Sequence, residues 1–193
     1  MKDVNGSLAL QETVWEELID GKVTLMSPRP VVNHNLIARN INNIFYNFLR
    51  GKSCVPFGDG TDLYLTDGAR FVPDGMIVCD RDKIRNDGVH GAPDLVVEVL
   101  SPGSEKKDRG RKKDLYEQCG VREYWIVSPG DRSIEQYLLR EGRFVLHEVY
   151  TEMPDYVLGK LTPEERAEVK TVFRCSLYDD LDIAVADVFS DMI

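Results

Sequence analysis

The sequence predicts a mixed α/β (α+β) fold, in which helices flank a central mixed sheet, with an N-terminal hairpin and a C-terminal strand meander. Three observations predict this class: an early amphipathic helical stretch, several short apolar runs after it, and a second helical stretch followed by three more strand-like runs. At 193 residues the chain has the length of one domain, so we assign residues 1–193 to a single domain.

Turn residues and the period of the apolar residues define the first elements. Leu18–Met26 contains two short apolar stretches around Asp20-Gly21, which is a strong hairpin signal. Isoleucine and phenylalanine recur at helical spacing before a Gly51 stop, which predicts an amphipathic helix over 32–50. The next apolar runs predict strands at Ser53–Phe57, Asp62–Thr66, Gly75–Cys79 and Leu95–Leu100.

One helix and a meander make up most of the second half. A helical period that ends at Gly120 predicts a helix over Lys106–Cys119. Three strands are predicted after it, at Glu123–Val127, Ile134–Leu139 and Phe144–Val149. An acidic stretch, Leu177–Phe189, is interpreted as a peripheral strand and a short helix.

Composition limits the classes of function. A net charge of −9 argues against a protein that coats nucleic acid by bulk electrostatics, so any nucleic-acid contact must be local. The stretch 106–113, with six basic residues, is one local candidate; a solvated helix face is the ordinary alternative. No run approaches the roughly 18 apolar residues of a membrane span, so we expect a cytoplasmic protein with no membrane partner.

Four cysteines are scattered along the chain, at Cys54, Cys79, Cys119 and Cys175. They include no C-x-x-C pair, and only three histidines are present to complete a zinc site. We therefore interpret all four as buried thiols in a reducing compartment.

Two acids stand in strand-like apolar settings, Asp74 after Pro73 and Glu98 inside Leu95–Leu100. A carboxylate in such a setting is costly to bury unless a cation or hydrogen-bond donors meet it. Neighbouring strands lie about 4.8 Å apart, which suits two oxygens on one Mg²⁺, whereas Asp94 and Glu98 are about 13 Å apart along one strand. We predict Asp74 and Glu98 as the metal pair. The alternatives are a turn aspartate at Asp74 and a salt bridge from Glu98 to a helix arginine.

A lysine falls on the apolar face of the second helix. The stripe that ends at Cys119 also contains Tyr116, Lys112 and Asp108. Because this helix follows the Glu98 strand, Lys112 is expected near that acid. Two alternatives remain: Lys112 extends its ammonium into solvent along an apolar surface, or it forms an ordinary i,i+4 pair with Asp108.

These residues resemble the Uma-type restriction endonuclease family, within the PD-(D/E)XK nuclease superfamily. The resemblance covers most of the chain. Its segments are Glu17–Gly21, Met26–Pro28, His34, Pro73–Asp74, Gly91–Pro102, Asp108–Arg109, Lys112, Tyr116 and Gly120–Val127.

The resemblance implies a restriction endonuclease-like core and a metal-dependent endonuclease that hydrolyses phosphodiester bonds of DNA. It implies Asp74, Glu98 and the backbone carbonyl of Val99 as ligands of Mg²⁺ or Mn²⁺. In the superfamily signature the catalytic lysine stands two places after the acid, where this chain has Leu100. Resemblance to the family's D-R-x-x-K run implies that Lys112 supplies the lysine from the following helix.

The resemblance also implies roles around this centre. Glu17, His34 and Asp108 are expected as accessory residues, with a hydrogen-bonded histidine at a helix start as the alternative for His34. Flanking phosphates are expected to contact Lys107, Arg109 and Lys113. Double-strand cutting usually needs two active sites, which a symmetric homodimer would supply.

Two other classes of function are alternatives. A catalytically inactive nuclease-like fold would act as a nucleic-acid or protein-binding module, which Leu100 and the acidic net charge favour. A glycosidase would use Asp74 and Glu98 as acid and base about 5–9.5 Å apart, but Lys112 would then have no role.

Overall fold

The computed structural model describes residues 16–25 and 31–193, which form a mixed α/β fold with two six-stranded sheets. The strands are β1 (Glu16–Ile19), β2 (Lys22–Leu25), β3 (Val55–Gly58), β4 (Leu63–Thr66), β5 (Ala69–Phe71), β6 (Gly75–Val78), β7 (Ile84–Arg85), β8 (Gly88–His90), β9 (Leu95–Val99), β10 (Glu123–Ser128), β11 (Ser133–Arg140), β12 (Arg143–Thr151), β13 (Val172–Arg174) and β14 (Asp182–Ala184). The helices are α1 (Val32–Leu49), α2 (Glu105–Lys107), α3 (Lys113–Cys119), α4 (Asp155–Leu158), α5 (Pro163–Glu168) and α6 (Val185–Val188).

The predicted fold class is confirmed, with two mixed sheets where one was expected. The central sheet has strand order β12-β11-β10-β9-β6-β3, and its β9–β10 pair is parallel. The second sheet has order β2-β1-β5-β4-β8-β7, with a parallel β4–β8 pair. The second sheet was not predicted because β5, β7 and β8 have only two or three residues each, too few to show an alternating pattern.

The central sheet separates two apolar cores. Val97 and Val99 of β9 belong to one core, which α1 and the C-terminal elements complete. Val96 and Leu100 belong to the other, which the second sheet and α3 complete. Because side chains alternate along a strand, Glu98 lies on the second face, between the two sheets. Burial on both faces explains why every residue of β9 other than Glu98 is apolar.

The C-terminal strand and helix are part of the first core, so the prediction that they are peripheral is wrong. Ile183, Val185 and Val188 are buried in the core that contains α1. Asn40 of α1 donates a hydrogen bond of 3.2 Å to the carbonyl of Val188. Acidic residues on the outer side of this segment obscured its buried face in the sequence.

The helix predicted over Lys106–Cys119 is interrupted. Gly110 has non-helical backbone angles, φ −111° and ψ −111°, and a π-helical turn at Asp108–Lys112 joins α2 to α3. Turns of this kind inside helices frequently occur at functional sites. Asp108 and Lys112 are nevertheless buried, with 1% and 3% of their surface exposed.

Two of the four cysteines form a disulfide, so the prediction of four thiols is wrong for this pair. Cys54 and Cys79 flank the paired strands β3 and β6, where Val55 lies opposite Val78. They are 25 positions apart, and only the strand pairing makes them neighbours. Cys175 is a buried free thiol, as predicted, and Cys119 is a half-buried one.

The predicted N-terminal hairpin is confirmed over β1 and β2. Asp20 and Gly21 both have positive φ, 53° and 72°, as a two-residue type I′ turn requires. Met26, where the hairpin prediction ended, and the whole of Met26–Pro28 lie outside the described residues. In the parts of the chain that the structure describes, no helix is long and apolar enough to cross a membrane.

Candidate active site

Asp74 and Glu98 come together between β6 and β9. These strands are antiparallel neighbours in which Gly75 pairs with Val97. Asp74 directly precedes Gly75 and Glu98 directly follows Val97, so both acids lie at the same end of this strand pair. The amide of Val99 donates a hydrogen bond of 2.7 Å to Oδ2 of Asp74. Strand pairing therefore brings together the two acids that were predicted to share a metal.

Asp94 lies at the other end of β9, away from this pair. Its Oδ2 accepts a hydrogen bond of 2.8 Å from the amide of Cys79. Its Oδ1 is 3.3 Å from a guanidinium nitrogen of Arg122. Asp94 therefore ties β9 to its neighbours and has no contact with Glu98.

Lys112 lies among three carboxylates. Its Nζ is 2.7 Å from Oε1 of Glu17, 3.1 Å from Oε1 of Glu98 and 3.3 Å from Oδ1 of Asp108. Extension of the ammonium into solvent is excluded because Lys112 is 3% exposed. The i,i+4 pair with Asp108 is present as one of three contacts. Burial lowers the pKa of Lys112, but the three acids outweigh burial and raise that pKa well above its ordinary value.

Glu98 is held through one of its two oxygens. Oε1 accepts hydrogen bonds from Nζ of Lys112 at 3.1 Å and from the hydroxyl of Tyr116 at 2.7 Å. The described residues donate no hydrogen bond to Oε2. Burial raises the pKa of Glu98 well above its ordinary value; Lys112 opposes this, and Asp108 and Asp74 add to it. The ion-pair partner of Glu98 is thus a lysine rather than the arginine considered from the sequence.

Helix α1 contacts Asp74 through two side chains. Nε2 of His34 is 3.3 Å from Oδ2 of Asp74, and Nδ2 of Asn42 donates a hydrogen bond of 2.8 Å to the Asp74 carbonyl. These two residues lie about two turns apart on one face of α1. Burial lowers the pKa of His34, but the hydrogen bond to Asp74 and the negative charge of Asp74, with smaller contributions from Asn35 and Asp59, together outweigh burial and raise that pKa. Asp74 therefore stabilises the protonated form of the imidazole relative to a free histidine.

Asn42 and Asp59 were not identified from the sequence. Asn42 packs against Gly58, where a Cβ would lie 3.0 Å from its amide nitrogen, so glycine allows this close approach without displacing the Asn42 side chain. Asp59 lies in the turn after β3, and desolvation together with the negative charge of Asp74 raises its pKa. An acid just after the predicted strand Ser53–Phe57 was the available signal for Asp59. No feature of the sequence pointed to Asn42.

The three basic residues expected to contact phosphates differ in their surroundings. Arg109 pairs with Glu135 at 2.6 Å. The ammonium of Lys113 lies 3.5 Å from the centroid of the Tyr137 ring. Lys107 is half-buried, and no acid among the described residues pairs with it. Arg109 and Lys113 therefore point toward β11 and lie beside the group of acids around Lys112.

The buried cluster contains more acid than base. Its acids are Glu17, Asp74, Glu98 and Asp108, and its bases are Lys112 and His34. Four carboxylates thus meet two cations even when the histidine is protonated. Both oxygens of Asp108 are buried, and neither accepts a hydrogen bond from the residues that the structure describes. Burial, opposed by Lys112, raises the pKa of this carboxyl group. Such a cluster favours any added positive charge.

Within the described ranges, no three Asp, Glu, His or Cys side chains converge as a preformed metal cage. Mg²⁺ commonly retains several water molecules and binds through one or two carboxylates, so a pair of acids on adjacent strands is sufficient. Oxygen donors and surplus negative charge fit Mg²⁺ or Mn²⁺. The residues present therefore fit a hard divalent cation.

The architecture places this cluster in a known class of fold. A crystal structure from Anabaena variabilis, described as "a putative nuclease belonging to DUF820", has a TM-score of 0.62 and 18% sequence identity to this chain. The match covers 91% of this chain and 89% of the other. The fold is that of the restriction endonuclease-like proteins.

The family follows from the sequence itself. The model of the Uma2 family, described as "Putative restriction endonuclease", matches residues 8–170. This chain belongs to the Uma2 family, which confirms the resemblance. It is also similar to "Uncharacterized protein slr1290" of Synechocystis sp., with 30% identity over 123 residues. That match covers 63% of this chain and 64% of the relative, less than two thirds of the relative's length.

Proposed function

We propose that this protein is a Mg²⁺-dependent endonuclease that hydrolyses phosphodiester bonds of DNA, with Mn²⁺ as the alternative metal. The observation that carries the proposal is the position of Asp74 and Glu98 at the same end of the β6–β9 pair, with Lys112 bonded to Glu98 inside a cluster of surplus negative charge. Membership of a family described as restriction endonucleases supports the same chemistry.

Asp74 and Glu98 would hold the metal through the oxygen that each has available. Oδ2 of Asp74 already contacts Val99 and His34, while Oε1 of Glu98 contacts Lys112 and Tyr116. Oδ1 of Asp74 and Oε2 of Glu98 have no such partner among the described residues. The carbonyl of Val99 is the third proposed ligand. A bound Mg²⁺ would lower the pKa of water and stabilise charge on the phosphate.

The remaining residues of the cluster would stabilise charge or fix the positions of the reacting groups. Lys112 would orient the attacking water or neutralise charge that develops on the phosphate. Glu17 and Asp108 keep the ammonium of Lys112 fixed and charged, since each lies within 3.3 Å of it. His34 would fix the carboxylate of Asp74 through its contact with Oδ2. These are accessory roles, because none of the three reaches the proposed metal oxygens.

DNA contact would be local, through basic residues beside the cluster. Lys107, Arg109 and Lys113 are proposed to hold the flanking phosphates. Arg109 would exchange Glu135 for a phosphate, since both are anions that a guanidinium binds in the same way. A net charge of −9 makes such local contacts necessary.

A second candidate is a nuclease-like binding module without catalysis. One observation favours it: all three close contacts of the Lys112 ammonium are with carboxylates of the protein. In this case the protein would bind nucleic acid without cutting it, and added metal would not change the substrate.

The proposal is tested by incubating supercoiled plasmid, linear duplex and single-stranded DNA with the protein and Mg²⁺ or Mn²⁺. We expect wild type to cut DNA and EDTA to abolish cutting. Asp74→Ala, Glu98→Ala and Lys112→Ala should each cut at least about 100-fold more slowly, the usual cost of losing a group that stabilises charge in the transition state.

Asp94→Asn is the matched control, because Asp94 directly precedes the strand that contains Glu98 but contacts Cys79 and Arg122 instead. It should cut at nearly the wild-type rate. Absence of cleavage by wild type, or wild-type cleavage by all three variants, would contradict the nuclease assignment. DNA binding without cleavage would favour the second candidate.

A further inference from the structure

We propose that Tyr116 is a positioning residue that determines which oxygen of Glu98 is presented to the metal. This inference rests on the proposed metal site at Asp74 and Glu98. The hydroxyl of Tyr116 donates a hydrogen bond of 2.7 Å to Oε1 of Glu98, the same oxygen that contacts Lys112. Oε2 is thereby left as the oxygen for the metal.

Lys112 alone does not determine this orientation. Its ammonium is 3.1 Å from Glu98 but closer, at 2.7 Å, to Glu17, and a third acid, Asp108, lies at 3.3 Å. The terminal torsion of a glutamate is broad and roughly two-fold, so the carboxylate of Glu98 can rotate unless a second donor fixes it. Tyr116 supplies that second donor, and its hydrogen bond to Glu98 is shorter than that of Lys112.

The ring of Tyr116 is itself held in place by its packing. Tyr116 is fully buried, and its ring packs edge-on against Phe71, with 5.4 Å between centroids, and at a tilt of 48° against Tyr124, with 5.2 Å between centroids. It lies one turn after Lys112 on the same buried stripe of the helix. The hydroxyl therefore has a fixed location at Oε1. As a neutral donor beneath a carboxylate, Tyr116 orients Glu98 and does not contact the substrate.

Hydrogen bonds to a metal-binding carboxylate orient it, and their loss usually weakens metal affinity by about 10- to 100-fold. Tyr116→Phe removes only the hydroxyl and keeps the aromatic packing. Isothermal titration calorimetry with MnCl₂ should show Kd raised by about 10- to 100-fold. In cleavage assays, the Mn²⁺ concentration for half-maximal rate should rise by a similar factor, while the rate at saturating Mn²⁺ should fall less.

The matched control is Tyr150→Phe. Tyr150 is also buried, and its hydroxyl donates to Oε1 of Gln136 in the other core, at 3.2 Å. Tyr150→Phe should bind Mn²⁺ with the wild-type Kd. Circular dichroism spectra of both variants without metal show whether either has lost structure, so a loss of structure is not mistaken for a loss of metal affinity.

The outcomes separate this inference from the proposed function. If wild type binds Mn²⁺, Glu98→Ala does not, and Tyr116→Phe binds within twofold of wild type, the positioning role is refuted and the metal site stands. An equal loss in Tyr116→Phe and Tyr150→Phe also refutes the role, since a general loss of packing then explains it. No Mn²⁺ binding by wild type refutes the metal site and the role of Tyr116 together.

Discussion

Replacing Lys112 by methionine is expected to lower the free energy of unfolding by about 3–5 kcal/mol at neutral pH, the usual cost of removing one partner from a buried ion pair. Methionine fills a similar volume, so the loss comes from charge. Three carboxylates, those of Glu17, Glu98 and Asp108, then face one another without the ammonium between them. Urea denaturation of the metal-free protein measures the change.

A second substitution tests whether charge is the cause. Glu17→Gln alone removes the 2.7 Å ion pair with Lys112 and should destabilise the wild-type protein. In the Lys112→Met background the same change removes one uncompensated acid and should restore stability. If Glu17→Gln destabilises both backgrounds equally, the Lys112 effect is one of packing. Lys106→Met, at an exposed position beside the cluster, should change stability by no more than about 0.5 kcal/mol.

Periodicity predicted the long elements of this fold and failed where elements are short. Helix α1 and the strands from β9 to β12 have enough residues to show a 3.6-residue or two-residue repeat. Strands β5, β7 and β8 do not, so the second sheet was not predicted. The break at Gly110 was not expected either, because the apolar stripe continues through it on both sides.

The candidate site was predictable where it depends on local geometry. Strand spacing favoured Asp74 over Asp94 as the partner of Glu98, and helix period singled out Lys112 from six neighbouring basic residues. Asn42 was not predictable, because its contact with Asp74 depends on how α1 crosses the sheet. Contacts of that kind are set by tertiary packing, which one sequence does not reveal.

Lys112 and Glu98 come from different elements of the fold. In the E-x-K pattern the lysine and the acid share one strand, whereas here Leu100 takes that place and packs in the second core. Lys112 comes from a helix, and Glu17 comes from a hairpin of the second sheet. Three elements that are distant in the sequence therefore meet around Glu98, so the charge at this residue would couple the stability of the fold to the proposed metal binding.

Glu98→Gln is accordingly expected to stabilise the metal-free protein by about 0.5–2 kcal/mol at neutral pH, as relief of strain at a functional site commonly does. The pKa of Glu98 is raised well above its ordinary value, so its ionised form is the unfavourable one in the folded state. Glutamine keeps an Oε1 that accepts from Lys112 and Tyr116 and removes the charge. Wild type at 100 times the Kd for Mn²⁺ should gain about 2.7 kcal/mol, and the variant should gain nothing.

The same substitution at Glu123 should have the opposite sign. Glu123 is also fully buried, but both its oxygens are occupied: Oε1 accepts from Trp125 and Gln136, and Oε2 accepts from the amide and hydroxyl of Ser176. An NH₂ group in place of either oxygen would face donors, which costs about 1–3 kcal/mol, while stabilisation by Mn²⁺ should be unchanged. Urea denaturation with and without MnCl₂ measures both effects. If Glu98→Gln lost stability as Glu123→Gln does, Glu98 would be an ordinary structural acid. A carboxylate that binds a metal is strained when the metal is absent, whereas a carboxylate whose oxygens accept hydrogen bonds from protein donors is not strained.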